Sequence, residues 1–116
     1  MSQVVIDVPE FMDRVQDDKE LFLELLDIYI EDFHKKRILL QQALENNNFE
    51  EIKSIAHSLK GSSGNISAKM LRESFLRLEE MVKNQDLKDF KKFLSDLDQQ
   101  FQDVIRRTAE LKVELK

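Results

Sequence analysis

The chain has 116 residues, of which 35% are charged and 41% hydrophobic, and its formal net charge is −5. This length predicts a single domain over residues 1–116, and the acidic balance argues against nucleic acid or a membrane surface as a partner. With two glycines, one proline and no cysteine, the sequence lacks the turn residues of sheets, a disulfide framework and a cysteine-based metal site. We therefore expect an all-α, cytoplasmic protein without a membrane span, metal or cofactor.

Two helices are predicted in the first half of the chain. Pro9 suits the first position of a short N-terminal helix, because its missing N–H would have no partner there. Asp18 is a good N-cap for a long amphipathic helix that ends at Asn46–Asn48. The apolar stripe of this second helix consists of Phe22, Leu25, Leu26, Tyr29, Phe33, Leu40, Ala43 and Leu44.

A third and a fourth helix follow. Asn48 and Glu51 form a capping-box pattern that opens the third helix, and Gly64–Asn65 is its expected stop. Ser67 is the expected N-cap of the fourth helix, which ends at Asn84.

The fifth helix is the most regular. It is predicted to start near Asp86 and to keep a 3-4 apolar pattern over about 30 residues. Either it pairs with the second helix along its length, or its end forms a homodimer. The chain is expected to be a monomer unless that end dimerises. Short connections between long helices predict an antiparallel four-helix bundle with a short additional N-terminal helix.

The two histidines differ in their expected surroundings. His34 follows Phe33 of the apolar stripe and precedes a basic run, which predicts a surface position without a chemical task. A helical wheel places His57 about 150° to 180° from the apolar centre of the third helix. We therefore expect the His57 imidazole to face solvent.

Both glycines of the chain follow His57 on its own helical face. Glycine inside a helix costs up to about 1 kcal/mol relative to alanine, so this placement needs a reason. For Gly61 the reason is equally a closely packed neighbouring helix or an outside partner that approaches His57. Gly64 also suits a helix C-cap.

The segment between Glu51 and Glu73 contains no acidic residue. Such a window predicts a locally positive surface that suits an anionic group or an acidic partner. Lys60, one turn beyond His57, could reach a phosphoryl group carried on the imidazole. The cations of the window are Lys53, Lys60, Lys69 and Arg72.

The run from Ala56 to Ala68, AHSLKGSSGNISA, resembles the signature A-H-x-L-K-G-S-S-x-x-x-G-A of the histidine-containing phosphotransfer (HPt) family. It departs at Ser67, where the family usually has glycine, and we expect this change to alter the turn between the third and fourth helices. The resemblance implies a four-helix bundle with an added N-terminal helix. It also implies a phosphocarrier of a multistep two-component phosphorelay, without an ATP site or independent kinase activity.

The resemblance implies a role for individual residues as well. His57 is the phospho-acceptor, Lys60 steadies the phosphoryl group, and Glu79 accepts a hydrogen bond from the histidine Nδ1. Ser63 makes a structural hydrogen bond or acts directly. The expected partners are response-regulator receiver domains, which hold Mg²⁺ themselves, and a hybrid sensor histidine kinase. The predicted partner-binding positions are Lys53, Ser54, Ser58, Gly61, Gly64 and Lys69.

An alternative of another class is a helical interaction or dimerisation domain that has lost phosphotransfer. An independent enzyme is disfavoured, because a His57–Glu79 pair on the outer face of a bundle lacks a pocket that excludes water.

Overall fold

The computed structural model describes residues 4–115, so residues 1–3 and 116 of the predicted domain lie outside the described part. The described chain forms five helices and no strand, which confirms the all-α prediction. The helices are α1 (Val8–Arg14), α2 (Lys19–Glu45), α3 (Phe49–Asn65), α4 (Lys69–Lys83) and α5 (Phe90–Glu114). The four long helices form the predicted bundle, since α2 and α4 each pack on both α3 and α5, and α1 packs on α2.

Helix starts follow local side-chain chemistry. Asp7, Asp18 and Asn48 occupy N-cap positions, and each accepts a hydrogen bond from the backbone N–H three residues later. Pro9 is the second residue of α1, one position later than predicted, because Asp7 caps the helix from two residues before it. The Asn48 N–H bonds to the carbonyl of Ala43 at 2.9 Å, so it closes the preceding turn.

The four connections between helices share one turn geometry. In each, the N–H of the residue after a left-handed position bonds to the carbonyl five residues earlier, which is the Schellman arrangement. Neither glycine has a positive φ, so both lie within α3 in helical conformation. The residues with positive φ are Gln16, Asp17, Asn47, Ser67 and Gln85.

Two boundary predictions are wrong. Ala68, without a side-chain cap, is the N-cap residue of α4, because Ser67 occupies the left-handed position at φ 58°. The fifth helix starts at Phe90, four residues after Asp86, and has 25 residues. Leu87 is buried, but it lies in the connection between α4 and α5. Apolar periodicity alone does not distinguish a buried residue of such a connection from a buried residue of a helix.

The core joins aromatic side chains of α2, α4 and α5. Phe33 stacks on Phe101 with ring centroids 3.8 Å apart and meets Phe75 at 6.0 Å. The predicted α2 stripe is buried except for Leu25, which is half-buried. No helix within residues 4–115 has a stretch long and apolar enough to cross a bilayer.

Helix α5 runs antiparallel to α2 along most of its length. The Arg37 guanidinium donates to both carboxylate oxygens of Asp98, at 2.7 and 2.9 Å. Near the other end, the Lys112 ammonium donates to Asp27 at 2.7 Å. The fifth helix therefore pairs within the chain, as the first of the two interpretations predicted.

Candidate functional site

His57 projects from the outer face of α3. Its side chain is 75% exposed, whereas Ala56 and Leu59 on either side of it are completely buried. This orientation confirms the helical-wheel prediction. His34 is also exposed, but its ring packs edge-on against Phe101 at 4.9 Å.

Lys60 and Glu79 lie at the base of the His57 side chain. The Lys60 ammonium is 2.6 Å from Glu79 Oε1, and both side chains are about one-fifth exposed, at 23% and 21%. Because the cation favours the ionised carboxyl, Lys60 holds the pKa of Glu79 below its usual value. Helix α4 thus supplies a carboxylate that is ionised and bound to Lys60.

The predicted hydrogen bond from His57 to Glu79 is not made. His57 Nδ1 lies 3.7 Å from Glu79 Oε2, which is longer than a hydrogen bond. The carboxylate turns instead to Lys60, whose ammonium group is 2.6 Å from Oε1. The residues meet as predicted, but Glu79 has a different first partner.

Gly61 lies beside His57 in open space. A Cβ added at this position would meet no atom within 4 Å. A closely packed neighbouring helix therefore does not explain this glycine.

Gly64 lies beside a side chain of α4. Its backbone is helical and α3 continues to Asn65, so the C-cap interpretation is wrong. A Cβ added here would lie 3.3 Å from Cδ of Arg72 and 3.6 Å from its Nε. The arginine side chain crosses the helix at the space that a larger residue would fill.

Of the other predicted partner-binding positions, two have exposed side chains and two have side chains that are bonded to other residues of the chain. Lys53 and Ser54 are exposed on the turn before His57. Ser58 turns toward α2, where its hydroxyl accepts a hydrogen bond from Lys36 at 2.7 Å. The Lys69 ammonium is held between Asp7 at 3.1 Å and Glu10 at 2.8 Å, which raises the pKa of Lys69 and lowers that of Glu10. The pKa of Asp7 is lowered first by the hydrogen bond from the Glu10 backbone N–H and then by Lys69.

The predicted positive surface is partly neutralised by acids that lie outside the acid-free window. A groove of about 610 Å³ runs beside the site. Glu10 of α1 pairs with Arg14 and Lys69, and Glu79 of α4 pairs with Lys60, although the segment from 52 to 72 contains no acid. The groove is lined by Glu10, Arg14, Lys60, Gly61, Gly64, Asn65, Lys69, Arg72 and Glu73. The acid-free segment alone could not predict these ion pairs, because the paired acids lie before and after it in the sequence.

Two serines of the run from Ala56 to Ala68 make contacts that stabilise the fold. The buried Ser63 hydroxyl lies 2.6 Å from the Tyr29 hydroxyl, which favours the structural role for Ser63. Burial raises the pKa of the Tyr29 phenol. The Ser67 hydroxyl donates to Glu10 at 3.0 Å and joins α1 to the turn before α4.

Sequence reasoning missed Arg14 and Arg72 as residues near the site. Arg14 donates to the Gly64 carbonyl and pairs with Glu10 at 2.9 Å. Arg72 was visible only as a cation in the acid-free window. Within residues 4–115, no cluster of three or more histidine, aspartate or glutamate side chains is arranged to hold a metal ion.

Both the sequence and the fold of the chain are similar to those of known proteins. A family model described as "Hpt domain" matches residues 24–107. No curated protein matches the chain significantly by sequence. The fold is similar to the crystal structure of histidine-containing phosphotransfer protein B (HptB) from Pseudomonas aeruginosa PAO1. The TM-score is 0.83 at 23% sequence identity, over 97% of this chain and 96% of that one.

Proposed function

The chain belongs to the Hpt domain family, and we propose that it is a phosphocarrier in a multistep phosphorelay. In this role His57 accepts a phosphoryl group from the phospho-aspartate of one receiver domain and passes it to the aspartate of another. The single observation that carries the proposal is the exposed imidazole of His57, with an ammonium group one turn away and open space at Gly61.

The transfer requires a free lone pair on Nε2 of His57. That lone pair attacks phosphorus, the N–P bond forms, and the O–P bond of the acyl phosphate breaks with its electrons left on the receiver aspartate. A proton on Nδ1 keeps Nε2 unprotonated, and Glu79 Oε2 lies on that side of the ring at 3.7 Å. Transfer to the second receiver is the reverse reaction.

Lys60 is the residue of this chain that would stabilise the carried group. A phosphoryl group on Nε2 adds about two negative charges beside it. Lys60 would then leave Glu79 Oε1, now 2.6 Å away, for the phosphoryl oxygens. Glu79 would in turn be free to accept the hydrogen bond from Nδ1.

Gly61 provides the access. A receiver must bring its aspartate to within bonding distance of Nε2, and the bare backbone at Gly61 leaves that approach clear. Mg²⁺ is expected on the receiver, where acidic residues hold it. The chain has no nucleotide-binding signature, so we expect it to carry phosphoryl groups without acting as a kinase.

The test is incubation of the chain with a receiver domain phosphorylated with labelled phosphate. We expect label on the chain that is stable to alkali and labile to acid, as phosphohistidine is. His57→Gln should abolish it, whereas His34→Gln, the matched control, should retain it. Label that survives His57→Gln, or wild-type chain that takes no label from a panel of receivers, would sink the proposal.

A further inference from the structure

The side chain of Arg72 lies across Gly64, on the same groove as Lys60 and Gly61. It starts from the first turn of α4 and crosses toward α3, and it remains 48% exposed. The aliphatic part of the arginine side chain therefore lies beside α3, while its guanidinium stays accessible from solvent.

The backbone conformation does not require glycine at position 64. Its φ is not positive, and glycine is among the poorest residues for a helix interior. An added Cβ would lie 3.3 Å from Cδ of Arg72, so the arginine side chain would have to shift slightly. Glycine at this position thus leaves room for the Arg72 side chain beside α3.

Arg72 also differs from the other cations of the groove in its partners. Arg14 lies 2.9 Å from Glu10 and Lys60 lies 2.6 Å from Glu79, and Lys69 has two carboxylates within 3.1 Å. The acid nearest to Arg72 is its neighbour Glu73, at 3.9 Å, and no hydrogen bond joins them among the described residues. Its guanidinium donors thus remain available for an external carboxylate.

Arg72 is placed where a receiver docked on His57 would cover it. Gly64 follows His57 by two helical turns, or about 10 Å along the axis. A typical interface of about 800 Å² per partner corresponds to a disc with a radius of about 16 Å. A receiver centred near His57 therefore extends over Arg72.

We infer that Arg72 is a receiver-binding residue that forms a bidentate ion pair with a carboxylate on the receiver surface beside the phosphorylated aspartate. This inference rests on the proposed function, and it assigns to Arg72 a part in selecting the receiver. The planar guanidinium favours a receiver with an acid at that place and disfavours one with a cation there.

The test compares Arg72→Gln with Arg106→Gln, which removes an exposed, ion-paired arginine of α5. We expect Arg72→Gln to raise the KM for a phosphorylated receiver about tenfold, to leave kcat unchanged, and to weaken the salt dependence of kcat/KM. Arg72→Lys should recover only part of the loss, because an ammonium group does not form the paired bonds.

Three results would overturn the inference. They are a KM for Arg72→Gln equal to that of Arg106→Gln, a loss confined to kcat, or full recovery by Arg72→Lys. If wild-type chain takes label and any of these is observed, this inference fails while the proposed function stands. If wild-type chain takes no label, the proposed function fails and this inference with it.

Discussion

At the scale of single residues, Glu79 has one carboxylate and two competing partners. Its Oε1 contacts Lys60 at 2.6 Å, while its Oε2 faces His57 Nδ1 at 3.7 Å. In the proposed cycle Lys60 must leave this ion pair before it can bind a phosphoryl group. The strength of the pair therefore opposes the phosphorylated state and favours release to a receiver.

The first prediction concerns the equilibrium of phosphoryl exchange between Glu79→Gln and a receiver. The neutral amide no longer holds Lys60, but its oxygen can still accept a hydrogen bond from Nδ1. A partly exposed pair contributes about 1 kcal/mol at most, so we expect the equilibrium to shift toward the phosphorylated chain by up to about fivefold. The fractions of label on the chain and on the receiver at equilibrium measure it. Glu80→Gln, at the exposed neighbouring position, is the control, and an equilibrium that is unchanged or shifted toward the receiver in Glu79→Gln would contradict the competition.

At the scale of helices and turns, the four connections use left-handed residues that are not glycine. Ser67 illustrates this, because it adopts φ 58° where the HPt signature has glycine, the residue that reaches this conformation most easily. Its turn has the same bonding as the other three connections, and its hydroxyl binds Glu10. Both glycines are instead inside α3, where they face the site.

The second prediction separates stability from function at Gly61. Because an added Cβ meets no atom within 4 Å there and leucine favours a helix, Gly61→Leu should raise the free energy of unfolding by about 0.5–1 kcal/mol. The same side chain should block the receiver and lower kcat/KM for phosphotransfer tenfold or more. Urea unfolding and transfer kinetics measure the two effects. Gln102→Leu on α5 is the control for added bulk; wild-type transfer rates in Gly61→Leu would remove the access argument.

At the scale of the whole molecule, the apolar stripe of α5 is used within the chain. Leu111, near the end of the helix, is 1% exposed, and Lys112 binds Asp27 of α2. Among the large hydrophobic residues described in the second half of α5, Val113 is the exposed one, at 70%. A single side chain of this size offers far less area than a stable dimer interface needs.

The third prediction is therefore a monomer, as expected from the sequence. Light scattering should give a mass near 13.7 kDa that does not change with concentration. A mass that rises toward twice this value, and that falls again in Val113→Glu, would instead support dimerisation through the fifth helix.

The sequence by itself determined where most helices lie and which way His57 faces. N-caps such as Asp18 and Asn48 act within three residues of the chain, and apolar periodicity is a property of one helix at a time. The turn of 100° per residue was likewise sufficient to place His57 opposite the buried face of α3. These features need no knowledge of the neighbouring helices.

Only the tertiary structure decided which groups meet across helices. It paired Glu79 with Lys60, placed Asp7 and Glu10 beside Lys69, and brought the Arg72 side chain across Gly64. In the packed structure Leu87 is buried although it lies in the connection before α5, and α5 begins only at Phe90. Each outcome depends on distances between residues far apart in the chain, and these exist only once the bundle has packed.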